Sequence, residues 1–180
     1  MQNKLPIKLL DFLKTGQLGP LHLGITIKET VSAFGAPSEQ YQLVTGFLLA
    51  YGGWEIQYRQ EKPHQAYLIQ HGELIYDCTN HDEVIQLVSD NYELDLGVIR
   101  PFTQVRLKDI KGWLDKEKVA YHIKLKAGQP LMKLNSGAYL DFLDTEPVVP
   151  TPGQTTPETK TKIENVDDYI LYTIGIFSQN

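Results

Sequence analysis

The amino-acid sequence predicts an α+β protein: two similar helix-then-antiparallel-hairpin units that share or abut sheets, with their helices packed on one face. Three observations carry that expectation. A capped amphipathic helix opens at Thr26. Period-2 strands flank glycine turns at Gly52-Gly53 and Ser136-Gly137. The order of helix, hairpin and further strand also occurs in both halves of the chain. The first unit, with an N-terminal helix, takes residues 1–90. The second takes 91–180, with a Pro/Thr-rich insertion at about 146–162.

Residues 5–15 space Leu5, Leu9, Leu10, Phe12 and Leu13 around Lys8, Asp11 and Lys14, the pattern of an amphipathic helix. Pro6 suits its first turn and Gly16 its end. At Thr26-Ile27-Lys28-Glu29 a hydroxyl and a carboxylate stand at capping-box spacing. Ile27, Val31 and Phe34 then fall on one helical face, and Gly35 and Pro37 stop the helix.

Residues 47–51 and 54–58 form a hairpin about the two glycines. Trp54, Ile56 and Tyr58 alternate with Glu55 and Gln57, so one face is buried and the other wet. Ala66–Ile69 reads as a third strand and Leu74–Tyr76 as a fourth, with His71-Gly72 a turn. Asn80–Glu83 caps a short helix carrying Val84, Ile85, Leu87 and Val88. Residues 92–102 read as a connection with Leu94, Leu96 and Val98 alternating, and Arg100-Pro101 discourages helix there.

From about Thr103 a helix presents Val105, Ile110, Trp113 and Leu114. It yields near Lys118 to a strand with Tyr121, Ile123 and Leu125. Residues 131–134 and 138–142 make the next hairpin. Between Pro147 and Thr161 lie four prolines and five threonines, too polar a stretch to pack, which reads as an excursion between strands. Tyr169–Phe177 is apolar on both faces and therefore reads as a central strand.

Laid against each other, Leu48–Tyr58 and Met132–Phe142 match at Gly53 with Gly137, and Glu55 and Asp141 read as paired acids. Val31 and Phe34 correspond to Ile110 and Trp113, and Tyr67–Ile69 to Tyr169–Leu171.

Composition narrows the class. The chain has 180 residues, 42% hydrophobic and 22% charged, as folded domains do. A formal charge of -5 argues against broad capture of nucleic-acid phosphates and suits a basic partner. With one cysteine, Cys78, no intramolecular disulfide forms. Lys8 and Asp11 interrupt the first apolar stretch, which does not read as a signal peptide, and no stretch approaches the ~20 apolar residues of a membrane span. A cytoplasmic protein that binds neither nucleic acid nor membrane is expected.

No catalytic motif stands out. Cys78 and His81 lie three apart without an orienting third group, and a structural cysteine is the simpler reading. His22, His64, His71, His81 and His122 show no metal-ligand spacing. Gly16, Gly19 and Gly24 follow a helix and lack the lysine of a phosphate loop. No metal, cofactor or catalytic residue is therefore expected. Glu55 and Asp141 would suit acid/base chemistry only if their carboxylates met. Ten tyrosines are many for this length, and aromatic side chains on a sheet commonly grip a partner. The candidate binding residues are Tyr51, Glu55, Tyr58, Tyr139 and Asp141.

Leu18-Gly19-Pro20-Leu21-His22-Leu23-Gly24-Ile25-Thr26, followed by Val31 and Phe34-Gly35-Ala36-Pro37, carries a family likeness. It resembles the helix-loop opening of the repeat shared by β-lactamase-inhibitor proteins and the outer-membrane assembly lipoprotein BamE. Tyr51-Gly52 with Trp54-Glu55 is similar to a strand of uncharacterised bacterial proteins, some of them immunity-protein-like. The resemblance covers about residues 16–58 and implies a non-catalytic protein-binding module, most concretely a cytosolic immunity-type inhibitor of a basic toxin. The alternatives are a small-ligand-binding or sensor protein and, third, an enzyme.

Overall fold

The computed structural model describes residues 4–72, 87–99, 105–145 and 162–178. One strand and two helices come first: β1 (Leu5–Lys8), α1 (Leu9–Thr15) and, after a loop, α2 (Ile27–Phe34). Then follow β2 (Glu39–Leu43), β3 (Gly46–Tyr51), β4 (Trp54–Arg59), β5 (Ala66–His71) and β6 (Tyr92–Asp95). The second half holds α3 (Leu107–Lys116), β7 (Tyr121–Lys126), β8 (Gln129–Leu134), β9 (Tyr139–Leu143), a 3-10 turn (Val166–Asp168) and β10 (Ile170–Phe177). Eight strands form one antiparallel sheet in the order β2-β3-β4-β5-β10-β9-β8-β7. β1 and β6 pair in parallel as a separate two-stranded sheet.

The expected α+β class, two helix-and-hairpin units with helices packed on one face, is corrected. The protein is mostly β, 46% strand against 20% helical, and rests on a single eight-stranded antiparallel sheet rather than on packed helices. The described α-helices are 7, 8 and 10 residues long. Helices that short depend on the surface they cover for their stability. Three strands fall where the sequence predicts none. β2, Glu39-Gln40-Tyr41-Gln42-Leu43, is an edge strand exposed along nearly its whole length, so neither face is apolar. β1 lies where a helix is expected from Leu5: Pro6 holds the residue before it extended, Ile7 is buried, and the helix starts only at Leu9. β6 falls within the expected connection.

The last strand is central, as its apolar residues on both faces require, and it joins the halves by pairing with β5 and β9. The expected strand at 74–76, the helix at 80–88 up to its last two residues, Cys78, His81 and the Pro/Thr-rich segment lie outside the described residues.

One face of the sheet holds the core. Trp54, Ile56 and Tyr58 on β4, Ile69 and His71 on β5, Leu140 and Phe142 on β9 and Ile174 on β10 are all nearly inaccessible. α1 meets this face where Phe12 packs edge-on to Trp54, ring centroids 5.8 Å apart. α2 meets it where Phe34 packs against Tyr51 at 5.6 Å. The capping box of α2 is formed: Thr26 Oγ1 accepts from the Glu29 amide at 3.3 Å, and the Thr26 amide donates to Glu29 Oε2 at 2.9 Å. The Thr26 amide, and the Thr26 hydroxyl donating to the same Oε2 at 2.7 Å, hold the Glu29 carboxyl below the usual carboxylate range. The helix is turned from its expected face: Val31 is 37% exposed, and Thr30 is buried in its place.

Candidate functional site

The alternation of each strand sends the residues between the core positions to the opposite, outer face. Register fixes which of them are neighbours. One row crosses all eight strands through directly paired residues: Glu39, Ala50, Glu55, Gln70, Gly175, Tyr139, Lys133 and His122. It runs from acidic at the β2 end to basic at the β7 end. A second row, Tyr41, Leu48, Gln57, Leu68 and Phe177, crosses five strands beside it. A third carries Thr173, Asp141, Leu131 and Lys124.

The centre of the first row is hydrogen-bonded across strands. Gln70 Nε2 donates to Glu55 Oε2 at 3.1 Å, and Tyr139 Oη donates to Gln70 Oε1 at 3.1 Å. Tyr139 reaches that far because Gly175, between them, has no side chain; a Cβ there would stand 2.8 Å from the phenol oxygen. Burial, with the Asp141 carboxylate beside it, pushes the Tyr139 phenol up to about 12. At neutral pH it is protonated, and it donates to Gln70.

Three of the five expected binding residues, Glu55, Tyr139 and Asp141, therefore share the outer face. The other two do not. Tyr51 and Tyr58 are fully buried on the core face, where the sequence alternation already puts Tyr58 with Trp54 and Ile56. Tyr51 Oη donates to the Gly35 carbonyl at 3.0 Å, and Tyr58 Oη donates to Thr30 Oγ1 at 2.7 Å. Both phenols fasten α2 to the sheet, and burial is the main reason their pKa values rise, that of Tyr51 to about 12.

Glu55 and Asp141 are not matched positions either. Tyr139 shares the row of Glu55, and Asp141 lies one row further along β9. With β5 and β10 between them and strands about 4.8 Å apart, the two acids stand about 14 Å apart across the sheet. A paired-carboxylate hydrolase works at less than about 10 Å, so that arrangement is excluded.

Sequence reasoning missed Gln70, Gly175, Leu68, Phe177, Lys133 and His122. Their only signal is register, which the strands' own sequences do not specify. At the basic end, Tyr139 and Phe177 meet edge-on at 5.6 Å, and Lys133 Nζ lies 5.6 Å from the Phe177 ring centre. A cleft of about 380 Å³ opens there among His122, Lys124, Lys133, Asn135, Gly137 and Phe177. On β4 and β5 Arg59 lies over the Tyr67 ring at 5.5 Å, and Tyr67 Oη donates to Gln57 Oε1 at 2.7 Å. Among the described residues, no group of three or more His, Cys, Asp or Glu side chains could hold a metal ion. No described helix is long and apolar enough to cross a membrane. Comparison of the chain with protein-family models, curated proteins and solved structures finds no match.

Proposed function

We propose that the protein is a non-catalytic binding module that receives a protein partner on the outer face of its sheet. Its most concrete form is a cytoplasmic immunity-type inhibitor that occludes a bacterial toxin. The row Tyr41–Leu48–Gln57–Leu68–Phe177 carries this reading. A solvated sheet face is ordinarily polar, yet four of these five side chains are large and apolar or aromatic. Its end residues, Tyr41 and Phe177, are 51% and 41% exposed. Interface cores favour aromatic anchors rimmed by polar groups, and the neighbouring hydrogen-bonded row supplies such a rim. The resemblance of the Leu18–Pro37 stretch to the inhibitor repeat supports the same reading. A small-ligand reading draws on the cleft, whose volume suits a ligand, but the cleft is open and three of its lining side chains are His122, Lys124 and Lys133.

The test is co-expression with a toxin encoded beside this chain's gene. Wild type is expected to restore growth, and the pair Leu48→Lys and Leu68→Lys to abolish rescue while leaving the thermal transition in place. Rescue that survives both substitutions in a folded variant would remove the outer face from the function.

A further inference from the structure

We propose that β7 accepts an added strand: an extended segment of a protein partner in which acidic and apolar residues alternate. The proposal rests on the binding-module reading and names the chemistry of the partner at one edge of the same face. β7 closes the sheet, paired on one side with β8, and five of its six residues are exposed. Among the described residues no strand pairs with its other side, whose backbone N–H and C=O groups suit a new strand, a mode in which main-chain bonds supply affinity and alternate side chains supply specificity.

The side chains of β7 sort cleanly. His122, Lys124 and Lys126 belong to the outer-face rows, whereas Tyr121, Ile123 and Leu125 pair across to Leu134, Met132 and Pro130 on the core side. Ile123 is 38% and Leu125 70% exposed, so the core layer ends in an uncovered apolar margin. Residues opposite each other on paired strands come within about 4.5–5.5 Å and favour opposite charges. A carboxylate beside Lys124 or Lys126 and an apolar side chain beside Ile123 or Leu125 satisfy both faces at once. The cleft at His122, Lys124 and Lys133 then has room for one further carboxylate side chain reaching inward. None of these three has an ion-pair partner among the described residues.

A second copy of the chain fits less well. Two β7 strands would set lysine against lysine, which is how edge lysines prevent self-pairing. The other edge of the sheet, β2, offers one acid, Glu39, and places Gln40 and Gln42 on the core side where apolar residues are needed. The local field thus reverses the expectation drawn from net charge: at this edge the partner segment is acidic.

The experiment uses the full chain and fluorescence anisotropy of a labelled eight-residue peptide alternating Glu and Val. Saturable binding is expected, with none by the Lys/Val counterpart. N-methylation of alternate amides in the acidic peptide, and the pair Lys124→Glu and Lys126→Glu in the protein, are each expected to weaken it at least about tenfold. Lys28→Glu, on exposed α2 surface, is expected to leave it unchanged. The proposal is overturned if the acidic peptide fails to saturate or if N-methylation has no effect, which would mean charge capture without an added strand. It is equally overturned if sedimentation without peptide shows self-association that Lys124→Glu abolishes, which would seat a second copy on the edge. Leu48→Lys and Leu68→Lys lie away from β7, so loss of growth rescue in them and loss of peptide binding here can fail separately.

Discussion

Tyr139 lies across Gly175, and its phenol passes over the bare backbone of the central strand to reach Gln70 on the strand beyond, donating at 3.1 Å. The contact joins the two halves of the sheet on the outer face at the same strands, β5, β10 and β9, whose core sides carry His71, Ile174 and Leu140. A Cβ at Gly175 would stand 2.8 Å from the phenol oxygen, 2.9 Å from the ring carbon bearing it and 2.9 Å from Gln70 Cβ. Gly175→Ala is therefore expected to cost about 1–3 kcal/mol, the range for overpacking a fitted site. The measurement is the denaturant midpoint at unchanged slope. Placed in a Tyr139→Ala background, the same substitution loses two of its three close contacts and is expected to cost less. Equal costs in the two backgrounds would show that the ring is not the obstacle.

Tyr58 provides a test of the core face. Its phenol donates to Thr30 Oγ1 at 2.7 Å, and Thr30 in turn donates to the Thr26 carbonyl at 3.0 Å. Tyr58→Phe removes the first bond and leaves Thr30 its own acceptor, so about 1 kcal/mol of stability is expected to go. Thr30→Val removes both side-chain bonds and leaves the Tyr58 hydroxyl buried without its acceptor, for a loss of about 1–3 kcal/mol. Both variants should bind any outer-face partner as wild type does once their folded fractions are equalised. A binding defect without a stability change would return Tyr58 to the list of surface contacts.

The sequence was most legible where one period dominates. The capping box at Thr26 and Glu29, the alternation of Trp54, Ile56 and Tyr58, and the doubly apolar Ile170–Phe177 strand all follow from local pattern. The edge strand β2 was illegible because it has no buried face and so lacks the asymmetry that pattern reading needs, whereas the other edge strand, β7, is legible from the alternation of Tyr121, Ile123 and Leu125 although it stands almost wholly in solvent. The site was half legible for a different reason. Alternation assigns Glu55, Tyr139 and Asp141 to one face, but their order across the sheet depends on which strands are neighbours. β10 enters between β5 and β9 from far along the chain, so Glu55 comes into line with Tyr139 and away from Asp141. Tyr58 was misplaced by its chemistry, since a tyrosine suits an interface and a core equally well. The buried acceptor on Thr30 decides between them.

The same buried phenols set the alkaline limit of the fold. A tyrosine in the unfolded chain titrates near 10. In the folded protein Tyr51 and Tyr139 are pushed up to about 12, and Tyr58, the most deeply buried of the three, is raised further, in each case chiefly by burial. Below about pH 9 these groups are protonated in both states and give stability no slope. Between about pH 10 and 12 the unfolded chain releases protons that the folded protein keeps. The unfolded state then binds fewer protons, and stability falls as pH rises. Urea midpoints are therefore expected to be level from about pH 8 to 9 and to decline steadily above pH 10. Tyr58→Phe and Tyr51→Phe each start from a lower plateau and decline less steeply, because each removes one group that ionises on unfolding. Tyr139→Phe is expected to have the smaller effect on the slope, since its ring lies on the partly solvated outer face and water screens part of its shift. A midpoint that stays flat to about pH 11 in wild type would mean that these phenols titrate in the folded protein as they do in the unfolded chain, and the assignment of Tyr51 and Tyr58 to the core would fall with it.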